Sequence, residues 1–219
     1  MTPAPAAAAQ TPPSAAGAAR RSTLRGPEVV LQAACALLEQ CAAFVREIPD
    51  AAYAAEATTV QGGTIGKHLR HVLDHYAAAL DASGLDAAAS DPHPPEIDYD
   101  HRERDVPMES SRAAALARLG AVRARIESID GAPSCAAVLD TPVRVRVMVA
   151  GDGAETSLRS TLGRELAFAT HHAVHHQAMM KTIAGEFGIQ AAPDFGRAPS
   201  TLCHERARAV PPAGGPAPR

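Results

Sequence analysis

The sequence predicts an all-α protein: a four-helix bundle, up-down-down-up, with a long crossover between helices two and three and a small β-hairpin inserted before the fourth. Three observations point there. Much of the 46% hydrophobic content is alanine, and there are only three Tyr, four Phe and no Trp. That composition suits closely packed helices better than strands, which favour β-branched and aromatic residues. Long segments repeat apolar residues at threes and fours, the spacing of one helical face. Finally, about 25 residues separate the second and third helices, too many for an adjacent antiparallel hairpin and suited to a crossover joining parallel helices.

Residues 1–26 are Ala, Pro, Thr and Ser with no charge before Arg20. Such a segment buries too little surface to offset its ordering entropy and is expected to be disordered. The bundle is expected over 27–205. Its first helix opens at Pro27, a good first-turn residue, and stops before Pro49, with Val30, Ala34, Leu37, Leu38, Cys41 and Val45 as its apolar stripe. The second follows Gly62-Gly63 with Thr64 as N-cap, carries Ile65, Leu69, Val72, Tyr76 and Leu80, and ends near Ser83-Gly84. The crossover holds Pro92, Pro94, Pro95 and Pro107, and the third helix runs from about Glu109-Ser110 to Ile129. Val143, Val145, Val147 and Val149 then alternate with Arg144, Arg146 and Met148 as a strand, Gly151-Asp152-Gly153 turns, and 155–158 can return as a second strand. The fourth helix starts near 160–162 and ends at Phe187-Gly188. Residues 206–219, rich in proline towards the end, are expected to be a second disordered tail.

Twenty-one basic residues stand against 24 acidic, a net charge of −3, and setting aside Arg20, Arg21, Arg25 and Arg219 leaves 17 basic. A nucleic-acid-binding surface needs clustered positive charge, so nucleic acid is not an expected partner. Cys35, Cys41, Cys135 and Cys203 show no metal-finger or CxxC spacing and fit a reduced, cytoplasmic protein. No apolar run approaches the roughly 20 residues that span a bilayer, so no membrane association is expected either.

The unusual number is ten histidines. Four crowd one helix as His171-His172-Ala173-Val174-His175-His176. Histidines four apart share a helical face and can reach one ion, as in helical HxxxH sites. Of the two such pairs, His172 and His176 lie on the core stripe Leu162, Leu166, Ala169, Met180, Ile183 and Phe187, while His171 and His175 sit on the flank with Phe168 and Met179. The inward pair is the better candidate, because buried imidazoles need partners for both nitrogens. The second helix adds His68, His71 and His75, and the helical wheel places His68 and His75 nearer its apolar centre than His71. A third imidazole from that helix would complete a facial three-nitrogen site with an open position for water or substrate. Neither helix carries the Glu-x-x-His of carboxylate-bridged di-iron bundles, and a tight cluster suits a small ion better than haem.

Over 27–205 the chain resembles the DinB-like four-helix-bundle metalloproteins. Thr64-Ile65 leading to His71-Val72-Leu73-Asp74 resembles their second-helix motif, and His172-Ala173-Val174-His175-His176 resembles their fourth-helix motif, whose outer histidines are ligands. The resemblance implies a site of His71, His172 and His176 holding a divalent ion (zinc, nickel or iron) and the same bundle topology. It also implies a metal-dependent enzyme, a transferase or hydrolase that activates a low-molecular-weight thiol or water against a small electrophilic substrate. Dimers are common among similar proteins. The alternative is a non-catalytic metal-binding, stress-related module or sensor. Gln177-Ala178-Met179 stands where many relatives have Arg-Gly-Gln. Asp74, His75 or His175 could orient a ligand or shuttle a proton, and no catalytic residue is assigned. In the crossover, Tyr99, Asp100, His101, Arg102 and Arg104 either cover the site mouth or clamp the crossover to the bundle; its length favours the clamp. The segment 195–200 is expected to be an anchor, and Cys203 an incidental free thiol.

Overall fold

The computed structural model describes residues 26–83 and 93–209. The expected tails at 1–25 and 210–219, and the part of the crossover at 84–92, lie outside the described residues. The long helices are α1 (Val29–Glu47), α3 (Ile65–Asp81), α4 (Arg112–Asp130) and α6 (Leu162–Glu186), with a short α2 (Asp50–Ala54) after the first. Local chemistry sets their starts: Thr64, Ser111 and Thr161 each accept a hydrogen bond from the backbone N–H three residues on. Gly188, at φ +71°, follows α6 in the left-handed conformation that glycine adopts without strain.

Around the bundle, α1 packs on α4 and α6, and α3 packs on α6 and α4. The order is therefore α1-α4-α3-α6, with α1 diagonal to α3, and the crossover makes α3 and α4 parallel neighbours. The core consists of aliphatic side chains from all four, among them Leu31, Leu38, Leu69, Leu73, Leu119, Ile126, Leu166 and Ile183. By length and composition α1 is apolar enough to cross a membrane, which corrects the expectation that no run of that character exists. Alanine supplies much of this apolarity, and Leu31, Ala34, Leu37, Leu38, Cys41 and Val45 are buried in the bundle.

The hairpin is larger than the sequence suggests. Strands β2 (Pro142–Met148) and β3 (Glu155–Thr161) pair antiparallel, and the crossover adds β1 (Glu96–Asp98) parallel to β2, with Ile97 opposite Val145. Ile97, Val143 and Val145 turn inward, and Arg146 pairs with Asp98 and Glu96. A three-residue strand with one apolar side chain carries no periodic signal of its own. A short α5 (Cys135–Leu139) precedes β2, and Gly163 lets α6 start close against it, since a Cβ there would lie 3.1 Å from the Leu139 carbonyl. Residues 206–209 are helical, against expectation: they complete α7 (Pro199–Ala209), which Arg206 and Arg197 tie down through ion pairs to Asp194 and Glu205. Phe195 anchors the preceding loop by stacking on Phe44 at 4.6 Å.

One glycine fixes how the crossover meets α3. A Cβ at Gly66 would stand 1.9 Å from the Glu109 carbonyl oxygen, in the 3-10 turn Pro107–Glu109. Nearby, the buried Tyr53 hydroxyl donates to the Met108 carbonyl at 2.6 Å. The two nearest atoms, the Glu109 carbonyl oxygen and carbon, are backbone and cannot turn aside, and the Tyr53 ring lies 2.9 Å from the added Cβ. Gly66→Ala is expected to destabilise the protein by about 1–3 kcal/mol, as overpacking does, read as a lower urea midpoint with an unchanged slope.

Candidate metal centre

The antiparallel packing of α3 on α6 brings five imidazoles together, those of His68, His71, His75, His172 and His176. His172 Nε2 lies 3.0 Å from His71 Nε2 and 3.0 Å from His176 Nε2. The three rings offer ligand atoms that all fall within 4.8 Å of one another. His176 is buried, His71 and His172 are half-buried, and His171 and His175 are exposed. The flanking pair on α6 therefore faces away, as its place on the helical wheel implies.

His68 and His75, which the wheel places more centrally than His71, are also at the centre but in other positions. His68 Nδ1 meets the far nitrogen of His176, Nδ1, at 2.9 Å. His75 donates from Nδ1 to the His71 carbonyl at 2.9 Å, and its ring stacks on Tyr99 at 4.7 Å. Phe168, partly exposed, stacks on His172 and completes an aromatic wall with Tyr99.

The crossover both clamps and covers. Arg70, buried, donates to the Glu103 carbonyl at 2.7 Å and pairs with Glu109 at 3.2 Å. Arg102 donates to the Tyr99 carbonyl and lies 3.7 Å from Asp74. The Tyr99 hydroxyl donates to buried Glu165 at 2.9 Å, and the same carboxylate accepts from Ser160 and Arg164. Asp74 is thus engaged by Arg70 and Arg102 rather than by an imidazole of the trio. Gln177, next to His176, is equally structural: its amide bridges Gln40 of α1 and the Gly196 backbone.

These surroundings keep the rings neutral. Burial, then the neighbouring His75 and Arg102, pushes His71 down to about 2. Burial, then His75 and His175, lowers His172 to about 4, and burial, then His172 and His68, lowers His176 to about 3. Burial also lowers His68 and His75. Neutral imidazole is the form that binds metal.

The donor set fits a cation. A neutral ring nitrogen has either one proton or one lone pair in its plane. His172 Nε2 therefore serves one linear hydrogen bond and leaves its second 3.0 Å neighbour uncompensated. Protonation is opposed by burial, whereas one ion between the rings would take all three lone pairs. Among the described residues no partner reaches buried His71 Nδ1.

No family model matches the chain, and no solved structure matches it. A stretch of 109 residues, 49% of the chain, is 37% identical to a protein described as FK506-binding protein 5 from Rhizopus delemar. The matched region is 27% of that protein, so the chain spans about a quarter of the length of the curated relative it matches. The helical bundle and its buried three-histidine cluster are consistent with a DinB-like metal-binding module and with capacity for a divalent ion.

Proposed function

We propose that the chain is a DinB-like metal-dependent enzyme in which His71, His172 and His176 hold one divalent ion. The observation that carries this reading is the convergence of three neutral Nε2 atoms from two helices, with 3.0 Å between His172 and each of the other two. A divalent ion held only by neutral ligands keeps its full charge and lowers the pKa of a bound water or thiol. The protein's own residues supply position and shelter. Packing of α3 on α6 sets the ligand spacing, Tyr99 and Phe168 shield one side from water, and Glu165 holds the Tyr99 hydroxyl. A small electrophile, attacked by the activated thiol or water, is the substrate class this arrangement suits.

The test begins with metal-stripped protein titrated with zinc, nickel and ferrous ions under reducing conditions, where one equivalent per chain is expected. Loaded protein is then offered low-molecular-weight thiols together with small electrophiles such as epoxides and alkyl halides. Metal-dependent thiol consumption above that of free metal supports the enzyme. Stoichiometric binding with no thiol or water chemistry leaves a metal-binding module, and no binding at all removes both.

A further inference from the structure

We propose that His68 is a positioning residue of the metal centre, accepting the Nδ1 proton of His176 and thereby fixing Nε2 of His176 as the metal-facing nitrogen. This rests on the metal-binding reading above but adds a residue that neither the three-ligand set nor the helical motifs include.

The argument starts from 2.9 Å between His68 Nδ1 and His176 Nδ1, with the rings 5.2 Å apart and inclined at 37°. Two ring nitrogens so close share one proton, which allows two arrangements. If His68 donates, neutral His176 carries its proton on Nε2, inside the trio, and has no lone pair there for an ion. If His176 donates, its Nε2 lone pair faces His71 and His172, and His68 carries its own proton on Nε2. Only the second arrangement permits Nε2 ligation. Both hold the same number of protons, so the choice concerns tautomers and not charge.

His68 reaches this place because it precedes His71 by three residues, one turn along α3. The pairing that sets His71 on His172 sets His68 behind His176. Its other nitrogen gains nothing there. His68 Nε2 is buried, no described residue hydrogen-bonds to it, and a Cβ at Gly63 would lie 3.0 Å from it. A leucine of similar size would fill the space and remove the unmatched Nε2, at the cost of leaving His176 Nδ1 without its partner. The imidazole is thus costly as packing, and among the described residues its ring nitrogen bonds to His176. Ligating histidines ordinarily pass their second N–H to a carboxylate, carbonyl or water. A neutral imidazole in that place orients the ligand while adding no negative charge to offset the ion.

The full chain with His68→Leu is expected to bind zinc about 10–100-fold more weakly than the unsubstituted protein, the usual effect of losing such a partner. His68→Asn, whose amide oxygen can stand where Nδ1 stands, is expected to recover affinity to within about threefold of wild type. A purely space-filling role predicts the opposite order, with Leu tolerated and Asn harmful. Nitrogen-15 NMR of the unsubstituted, zinc-loaded protein decides the matter even if a variant fails to fold: the proton should reside on Nδ1 of His176 and Nε2 of His68. Leu binding as tightly as wild type, Asn binding worse than Leu, or the reverse tautomers overturns the inference while leaving the three-ligand site intact. Absence of zinc binding in wild type overturns the metal reading itself, and this inference with it.

Discussion

Alanine at His71, His172 or His176 is expected to lower metal affinity at least hundredfold, while alanine at His171 or His175 leaves it within a few-fold of wild type. The contrast follows from geometry. Each of the first three contributes a nitrogen to a cluster in which His172 Nε2 lies 3.0 Å from each of its two neighbours, and losing one leaves two imidazoles with no third ligand of the cluster among the described residues. Asp74, the nearest acidic side chain in sequence, is engaged by Arg70 and Arg102. The loss should exceed the roughly 10–100-fold effect of removing a group that hydrogen-bonds to a ligand, because a direct bond disappears. His176→Ala should be the most damaging, since it also strands Nδ1 of the half-buried His68. His171 and His175 are exposed and point off the α3–α6 contact. Elemental analysis after chelator competition provides the readout. Metal lost from the His171 or His175 variants, and kept in the other three, would place the site on the wrong face of α6.

How far such a site can be read from sequence depends on how broad the buried face of each helix is. On α6 the wheel works, because one narrow stripe through Leu166, Ala169, Ala173, His176 and Met180 faces the interior. On α3 it does not discriminate. Eleven of seventeen residues are buried there, because the helix packs on α4, α6 and the 3-10 turn at once. The centre of its apolar stripe therefore does not mark the side that meets His172, and His71 reaches His172 from the edge of that stripe. Motif resemblance, rather than periodicity, singles out His71. The relation of His68 to His176 depends on the register between two helices 108 residues apart in the chain, which no local pattern encodes. The same holds for β1, whose pairing comes from β2, and for the end of α7, whose ion pairs reach back to Asp194 and Arg197. The four long helices, by contrast, announce themselves through caps and spacing within their own residues.

The second large effect is on stability: acidifying the metal-free protein from pH 6.5 towards pH 5 is expected to destabilise it well before its carboxylates titrate. In the unfolded chain His71, His172 and His176 take up protons near pH 6.5. In the folded protein burial and neighbouring charge hold them down to about 2, 4 and 3 respectively. Their folded values lie below the unfolded one, so the unfolded state binds more protons throughout this window. Stability is therefore complete above pH 6.5 and declines as pH falls towards the folded values. At pH 5 each group contributes at most about 2 kcal/mol to that decline, less for the partly exposed His71 and His172. A combined loss of a few kcal/mol is a large share of the roughly 5–15 kcal/mol that holds a domain folded. Asp98 and Glu186, whose carboxyls sit below their ordinary values, act in the same direction but only at lower pH. Asp74, raised by burial, acts in the opposite direction near its own range. On the metal-site reading, zinc that prefers the folded state adds up to about 4 kcal/mol at a thousandfold excess over its Kd, so loaded protein should resist the same acidification. Urea midpoints at pH 7, 6 and 5, in chelator and in zinc, measure both effects. A flat midpoint in chelator across this window would show that the three rings protonate freely in the folded state. They would then form an open, solvated cluster in place of a buried donor set prepared for a cation.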